Sequence, residues 1–214
     1  MNELRASGDV QPPPPSDYQL LLPDGWFRIL LEPHQRERSV EALVKRQFNG
    51  VDDAPHLRRL LREELLARAT DAFGEGGIEL YISLQQAGTL TIPASLLITL
   101  VRPRRPGAGL PSPTDLAEAL GAESGAGQTI SVIELAAGTA MRVQVDPEET
   151  PTGTQRSEDQ YELPSLTVDY QLAIPHTDAH LLLTFSTPLI QIADTMADLF
   201  GAIAGSLKWQ GAAT

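Results

Sequence analysis

Cysteine is absent from this 214-residue chain, which excludes disulfides, a thiol nucleophile and a zinc site built on thiolates. Basic residues are scarce as well, because 16 Lys and Arg stand against 28 Asp and Glu, giving a formal net charge of −12 at pH 7. Phosphate recognition relies on clustered cations, so this balance argues against nucleic acid as a partner. The composition therefore disfavours thiol chemistry and general nucleic-acid binding.

Long apolar runs are also missing. No stretch approaches the roughly 18 apolar residues that a membrane-spanning helix needs, and residues 1–16 lack the apolar centre of a secretory signal. We therefore expect a cytoplasmic protein with no membrane insertion. Four consecutive prolines at 12–15 favour extended geometry, so residues 1–16 are predicted to form a mobile Pro-rich leader. The rest, 17–210, is predicted to be one domain with a mobile acidic loop at 146–160.

The chain has little that indicates catalysis. It contains no Gly-x-Ser-x-Gly elbow to position a nucleophile. The glycine-rich run at 74–77 has neither the lysine nor the preceding strand of a phosphate-binding loop, and a hinge is the preferred interpretation. We predict no catalytic residue and no cofactor.

One weak metal-site candidate remains, formed by His176, Asp178 and His180. Imidazole and carboxylate groups of this kind can ligate a metal. In a turn between two strands, however, this spacing does not make the side chains converge. The preferred interpretation is that all three are solvated turn residues.

The last fifth of the chain has the clearest pattern. Apolar residues alternate over 166–174 and again over 181–186, with turn-forming residues between them, which predicts two antiparallel strands. Thr187 and Pro188 are predicted to cap and open a final helix. That helix has an apolar stripe made of Ile192, Met196, Leu199, Phe200, Ile203 and Leu207.

The remaining elements are shorter. Helices are predicted from Ser39 to Gln47, from a cap at Asp53, and from a capping box at 112–115 to Gly121. The second of these carries a leucine stripe made of Leu57, Leu60, Leu61 and Leu65. Further strands are predicted at 18–22, 26–30, 78–85, 95–101, 130–135 and 139–145. Because strands come in consecutive runs, the fold class is α+β, with a mainly antiparallel curved sheet of about six to eight strands flanked by helices.

Two segments carry a family resemblance. The turn sequence Leu22-Pro23-Asp24-Gly25-Trp26, together with Leu-Thr-Phe-Ser-Thr-Pro at 183–188 and a final helix closing on 206–209, resembles the Mog1/PsbP/LpqN-like group. The resemblance implies an α/β/α sandwich around an antiparallel sheet. Members include photosystem accessory proteins, a regulator of a small GTPase and bacterial lipoproteins, so no single activity and no site residue is implied.

Two function classes stay open. The first is a non-catalytic protein-binding or assembly module of a bacterial cytoplasmic system, with a protein partner and, as the sequence allows, a homodimer. The alternative is a small-ligand binder or an enzyme whose polar residues converge only in three dimensions. Arg102, Arg104 and Arg105 could contact an acidic partner, although a solvated loop is preferred. Trp26 and Trp209 are expected to pack at the sheet rather than form a stacking platform.

Overall fold

The structure of the chain, a computed structural model, describes residues 12–50, 54–88, 90–105, 107–123, 125, 127–146 and 164–211. The helices are α1 (Pro33–Gln47), α2 (Pro55–Gly74), α3 (Pro113–Glu123) and α4 (Ala193–Gly205). The strands are β1 (Asp17–Gln19), β2 (Trp26–Leu30), β3 (Gly77–Ser83), β4 (Gln85–Ala87), β5 (Leu90–Ile92), β6 (Ser95–Val101), β7 (Gln128–Leu135), β8 (Gly138–Val145), β9 (Leu166–Ala173), β10 (His180–Thr187) and β11 (Lys208–Gln210).

Seven strands form one sheet in the order β2-β3-β6-β10-β9-β8-β7, and every neighbouring pair is antiparallel. The alternating segments of the sequence account for its centre, because β9 and β10 pair along their full length. The α+β class with a mainly antiparallel sheet is confirmed. None of the described helices is both long and apolar enough to cross a bilayer.

One face of the sheet is buried beneath α4. Leu96, Phe185 and Tyr170 come from the central strands β6, β10 and β9, and they pack against Phe200 and Ile203 of α4. The ring of Phe200 is stacked on that of Phe185, with centroids 4.8 Å apart, and Phe200 is 0% exposed. This aromatic contact fixes the final helix on the sheet.

Among the described residues, helices cover the opposite face only at its two ends. The helices α1 and α2 pack on β2 and β3 around Ile29, Leu43 and Leu65, and α3 packs on β8 through Ala117 and Met141. Between them, the side chains of β6, β10 and β9 on this face are mostly half-buried, whereas their neighbours on the α4 face are buried. Helices thus lie on both faces of the sheet, as the resemblance implies.

The start of α1 differs from the sequence prediction. The helix begins at Pro33, where the Glu32 carboxylate accepts a hydrogen bond from the His34 N–H at 3.1 Å. Ser39, the predicted cap, lies inside the helix, and its hydroxyl donates to the Gln35 carbonyl one turn earlier. The cap prediction was wrong because Ser39 makes the back-bond that serine makes within a helix.

The start of the final helix was also misplaced. Thr187 is buried in β10, its hydroxyl donates to the Pro93 carbonyl at 2.7 Å, and it accepts from the Leu189 N–H. A 3₁₀ turn at Ile190–Ile192 follows, and α4 begins only at Ala193. Thr187 therefore closes the strand rather than capping the helix.

On α2, the predicted leucine stripe is only half buried against the core. Leu65 is buried and Leu61 packs against the core, but Leu57 and Leu60 are 46% and 60% exposed. The helix starts at Pro55 after Ala54, and the predicted cap Asp53 lies outside the described residues. Two leucines therefore remain on the solvent side of α2.

Two short pairings were not predicted. The strands β4 and β5 form a hairpin, and β1 pairs with β11, so that Tyr18 lies opposite Trp209. The predicted strand 18–22 is therefore reduced to 17–19. Residues 1–11 and 147–160 lie outside the described part of the chain, so the mobile leader and the mobile acidic loop stay predictions.

Candidate functional site

An open cavity of about 480 Å³ lies between α1 and α2. Its lining residues come from the C-terminal half of α1, the turn after it and the first two turns of α2: Glu41, Val44, Lys45, Phe48, Asn49, Gly50, Arg58, Arg59 and Arg62. Four of these side chains are cationic and one is acidic. In a chain with a net charge of −12, this concentration of positive charge makes the cavity the leading candidate for a functional site.

Helix geometry explains how the cations meet. Arg58 and Arg62 are four residues apart on α2 and therefore share a face of the helix, and Lys45 reaches the cavity from α1. Beneath them, Val44 is buried in the core that joins both helices to β2. The exposed cations are thus carried by a packed pair of helices.

One of the cations is held in place by an aromatic residue. The Arg58 guanidinium lies over the Phe48 ring, 5.6 Å from the centroid, and donates to the Phe48 carbonyl at 3.2 Å. A guanidinium oriented in this way loses less side-chain entropy when an acidic group binds beside it. The Arg58 side chain therefore lines the cavity in a position fixed by its two contacts with Phe48.

No salt bridge among the described residues involves the other cations of the cavity. The salt bridges among the described residues are Arg28 with Glu79 and Arg68 with Glu64, and neither involves Lys45, Arg59 or Arg62. Residues 51–53, which include two aspartates, lie outside the described part of the chain. The arrangement can bind carboxylate or phosphate groups, and its described lining residues include no nucleophile paired with a base.

The structure separates the three metal-site candidates. His176 and Asp178 are exposed in the turn after β9, where His176 has a φ of 59°. His180 is instead buried in β10, with its Nδ1 3.1 Å from the Gln171 Nε2, so the prediction of a solvated turn residue was wrong for His180. Among the described residues, no group of three His, Cys, Asp or Glu side chains could hold a metal ion.

His180, Gln171 and Asp169 lie on the same face of β9 and β10, and His180 contacts Gln171. Burial lowers the pKa of the His180 imidazole and raises the pKa of the Asp169 carboxyl, the second effect being opposed by a hydrogen bond from Thr184. The Asp169 Oδ1 is buried and has no hydrogen-bond partner within the described ranges. An incompletely paired buried carboxylate opposes folding when it is ionised.

At pH values above neutral, replacing Asp169 with asparagine is therefore expected to raise the melting temperature of the protein. A carboxyl whose folded-state pKa is raised contributes stability that is present below its unfolded-state pKa and is lost as pH rises through the folded-state pKa. The gain should consequently shrink as the pH falls, and vanish below the unfolded-state pKa of about 3.9, where the carboxyl is protonated in both the folded and the unfolded state. Calorimetric scans across this range would measure it. The matched control is Asp178→Asn in the exposed turn, and a pH-independent gain would contradict the argument.

A second charged cluster is structural. Glu79 is buried in β3, where its carboxylate pairs with Arg28 and accepts a hydrogen bond from the Tyr81 hydroxyl at 2.6 Å. Burial, followed by the hydrogen bond with Glu79, raises the pKa of the Tyr81 hydroxyl. Burial likewise raises the pKa of Tyr18 beside the same carboxylate. The cluster joins β2 to β3, and the Glu79 carboxylate is already bonded to Arg28 and Tyr81.

The other sequence candidates do not converge on a site. Arg102, Arg104 and Arg105 are exposed in the segment after β6. Trp26 and Trp209 pack against the core beneath α4, and the Trp209 Nε1 donates to the Ala137 carbonyl at 2.8 Å. The expectation that the tryptophans pack at the sheet is met, and neither is available as an open stacking platform.

Sequence reasoning missed the α1–α2 cavity. The signal was present in the cations at 45, 58, 59 and 62, which lie between the apolar residues of two predicted helices. Finding the cavity required the packing angle of α1 against α2, and a helical pattern does not specify that angle.

Comparisons with known proteins give a likeness in structure. No family model and no curated protein matches the chain. The chain is similar to the solution structure of cyanobacterial PsbP (CyanoP) from Synechocystis sp. PCC 6803, at 12% identity, with 98% of each chain covered and a TM-score of 0.42. A TM-score of this size is not evidence about family or function.

Proposed function

We propose that the protein is a non-catalytic binding or assembly module that takes an acidic segment of a partner protein into the α1–α2 cavity. The observation that carries the proposal is the cluster of Lys45, Arg59 and Arg62 around one cavity of a strongly acidic chain. An acidic segment would neutralise these cations, while the net charge of the whole chain repels a long polyanion.

The surroundings of the cavity support a protein rather than a nucleic acid as the ligand. Leu57 and Leu60 are exposed on the same two turns of α2 that carry the arginines. Arginine beside exposed apolar side chains is characteristic of protein interfaces. A segment that combines carboxylates with apolar residues could contact both the cavity and this flank of α2.

Fluorescence anisotropy with a labelled peptide of alternating glutamate and leucine would test the proposal. The double variant Arg59→Glu with Arg62→Glu should weaken binding by at least about tenfold, because like charges then face the peptide. The matched control is Arg104→Glu with Arg105→Glu, which makes the same charge change in the exposed segment after β6. It should leave the affinity within about threefold.

Three outcomes would count against the proposal. Equal losses in both double variants would show that the peptide responds to net charge alone. Failure of the wild-type protein to bind the peptide would reject the acidic ligand. Tighter binding of a single-stranded oligonucleotide of matched charge would make nucleic acid the better ligand, against the expectation from composition.

A bacterial cytoplasmic setting is part of the proposal. The sequence predicts a cytoplasmic protein, and in the cytoplasm the module would encounter a soluble acidic partner. Fractionation of the source cells, followed by detection of the untagged protein, tests this setting directly, and recovery in a membrane or exported fraction would reject it.

A further inference from the structure

The strand β7 (Gln128–Leu135) lies at one end of the seven-stranded sheet. All of its eight residues pair with β8 in one continuous register without a bulge. The other side of β7 has no strand neighbour among the described residues. The sheet therefore ends in a long, regular edge.

The turn between β7 and β8 determines which backbone groups this edge presents. Leu135 and Gly138 pair on either side of a two-residue turn, which makes them a hydrogen-bonded pair. Every second residue from Leu135 then points its N–H and C=O toward β8. The N–H and C=O groups of Ile130, Val132 and Glu134 consequently point away from the sheet.

The edge lacks the features that usually prevent strands from associating. It has no proline and no lysine, and Glu134 is its single charged residue, whose carboxylate accepts a hydrogen bond from the Thr139 hydroxyl at 2.9 Å. The opposite edge, β2, is a shorter strand that carries Arg28, and its Leu30 N–H bonds to Ser39 Oγ. An unprotected edge of this length is a template for pairing with another strand.

We propose that the occupant of this edge is a second copy of the chain, with β7 pairing to β7 in antiparallel orientation about a two-fold axis. In the register centred on Val132, this residue lies opposite Val132 of the second copy, and Ile130 lies opposite Glu134. The outward N–H and C=O groups of all three residues then form hydrogen bonds between the copies. An isologous contact of this kind closes on itself as a dimer. It also keeps the two Glu134 carboxylates apart, so no like charges face each other.

Exposed apolar side chains on the same margin favour this occupant. Val132 is 42% exposed on β7, and Leu120 is 39% exposed on α3, the helix that packs over β7 and β8. Leu120 continues the stripe of Leu116 and Ala117 that faces the sheet. Two-fold pairing of β7 brings the α3 helices of both copies to the same side of the joined sheet.

Sedimentation equilibrium of the full chain, from micromolar to sub-millimolar concentration, tests the proposal. The wild-type protein should reach twice the monomer mass of 23.1 kDa. Val132→Pro removes a backbone N–H that points away from β8, so the hydrogen bonds between β7 and β8 are kept. It should raise the dissociation constant of the dimer at least about tenfold. Val132→Lys, the milder variant, should act in the same direction by placing a charge at the edge.

The matched control is Leu60→Lys, which introduces lysine at an exposed leucine on α2, far along the sheet from β7, and should leave the dimer unchanged. A wild-type protein that stays monomeric over the whole range would overturn the proposal, as would a dimer that both Val132 variants leave intact. If Val132→Pro loses its circular dichroism signal, Val132→Lys decides. An equal loss in Leu60→Lys would reject β7 as the interface.

Discussion

Truncating Phe200 to alanine is expected to lower the free energy of unfolding by about 3–5 kcal/mol, the range for removal of a core aromatic side chain. Phe200 is 0% exposed and stacks on Phe185, which in turn meets the Tyr170 ring edge-on at 5.8 Å. The substitution therefore leaves a cavity at the centre of the contact between α4 and the sheet. Urea denaturation followed by circular dichroism would measure the loss.

The control for this measurement lies just before the same helix. Ile192 is 44% exposed in the 3₁₀ turn, so Ile192→Ala should change the free energy of unfolding by about 0.5 kcal/mol or less. Two variants with similar small losses would mean that α4 is not docked through Phe200.

Replacing Gly77 with alanine is expected to cost about 2–3 kcal/mol, through overpacking. A Cβ at this position would lie 2.6 Å from the Ala72 carbonyl oxygen and 2.9 Å from Leu31 Cδ1. The first of these atoms is backbone in the last turn of α2, so the clash can be relieved only by moving the helix away from β3. Thermal and urea denaturation would both report the loss.

Gly74 provides the matched control, because a Cβ there would meet nothing within 4 Å. Gly74→Ala should be neutral, or should stabilise the end of α2 by up to about 1 kcal/mol, since glycine is the poorer helix former. If the two alanine variants had the same stability, the close approach of α2 to the start of β3 would be incorrect.

The elements that the sequence predicts well are those whose pattern carries both local and tertiary information. The alternation at 166–174 and 181–186 matches β9 and β10 because one side of each strand is buried beneath α4. The capping box is correct as well, since Ser112 and Asp115 bond reciprocally at the start of α3. In both cases, the local preference agrees with the packing.

The errors arise where packing decides among several local possibilities. Leu57 and Leu60 fit an apolar stripe, but α2 turns only the side with Leu65 and Ala69 toward the core. His180 follows a turn and looks solvated in the sequence, yet the strand begins at that residue and places it against Gln171. A signal for α1 was available in Pro33, which suits the first position of a helix. The α1–α2 cavity depends on how two helices meet, which no single segment encodes.

The pairing of β1 with β11 brings the beginning and the end of the folded domain together. The Ser16 N–H donates to the Gln210 carbonyl at 3.1 Å, and the Ser16 hydroxyl donates to the Gly211 carbonyl at 3.0 Å. The two ends of the described chain are therefore neighbours at one point of the surface. A short linker could join them, and the chain could be reopened at the turn between β7 and β8 without removing any strand from the sheet. The fold is therefore compatible with circular permutation of the chain.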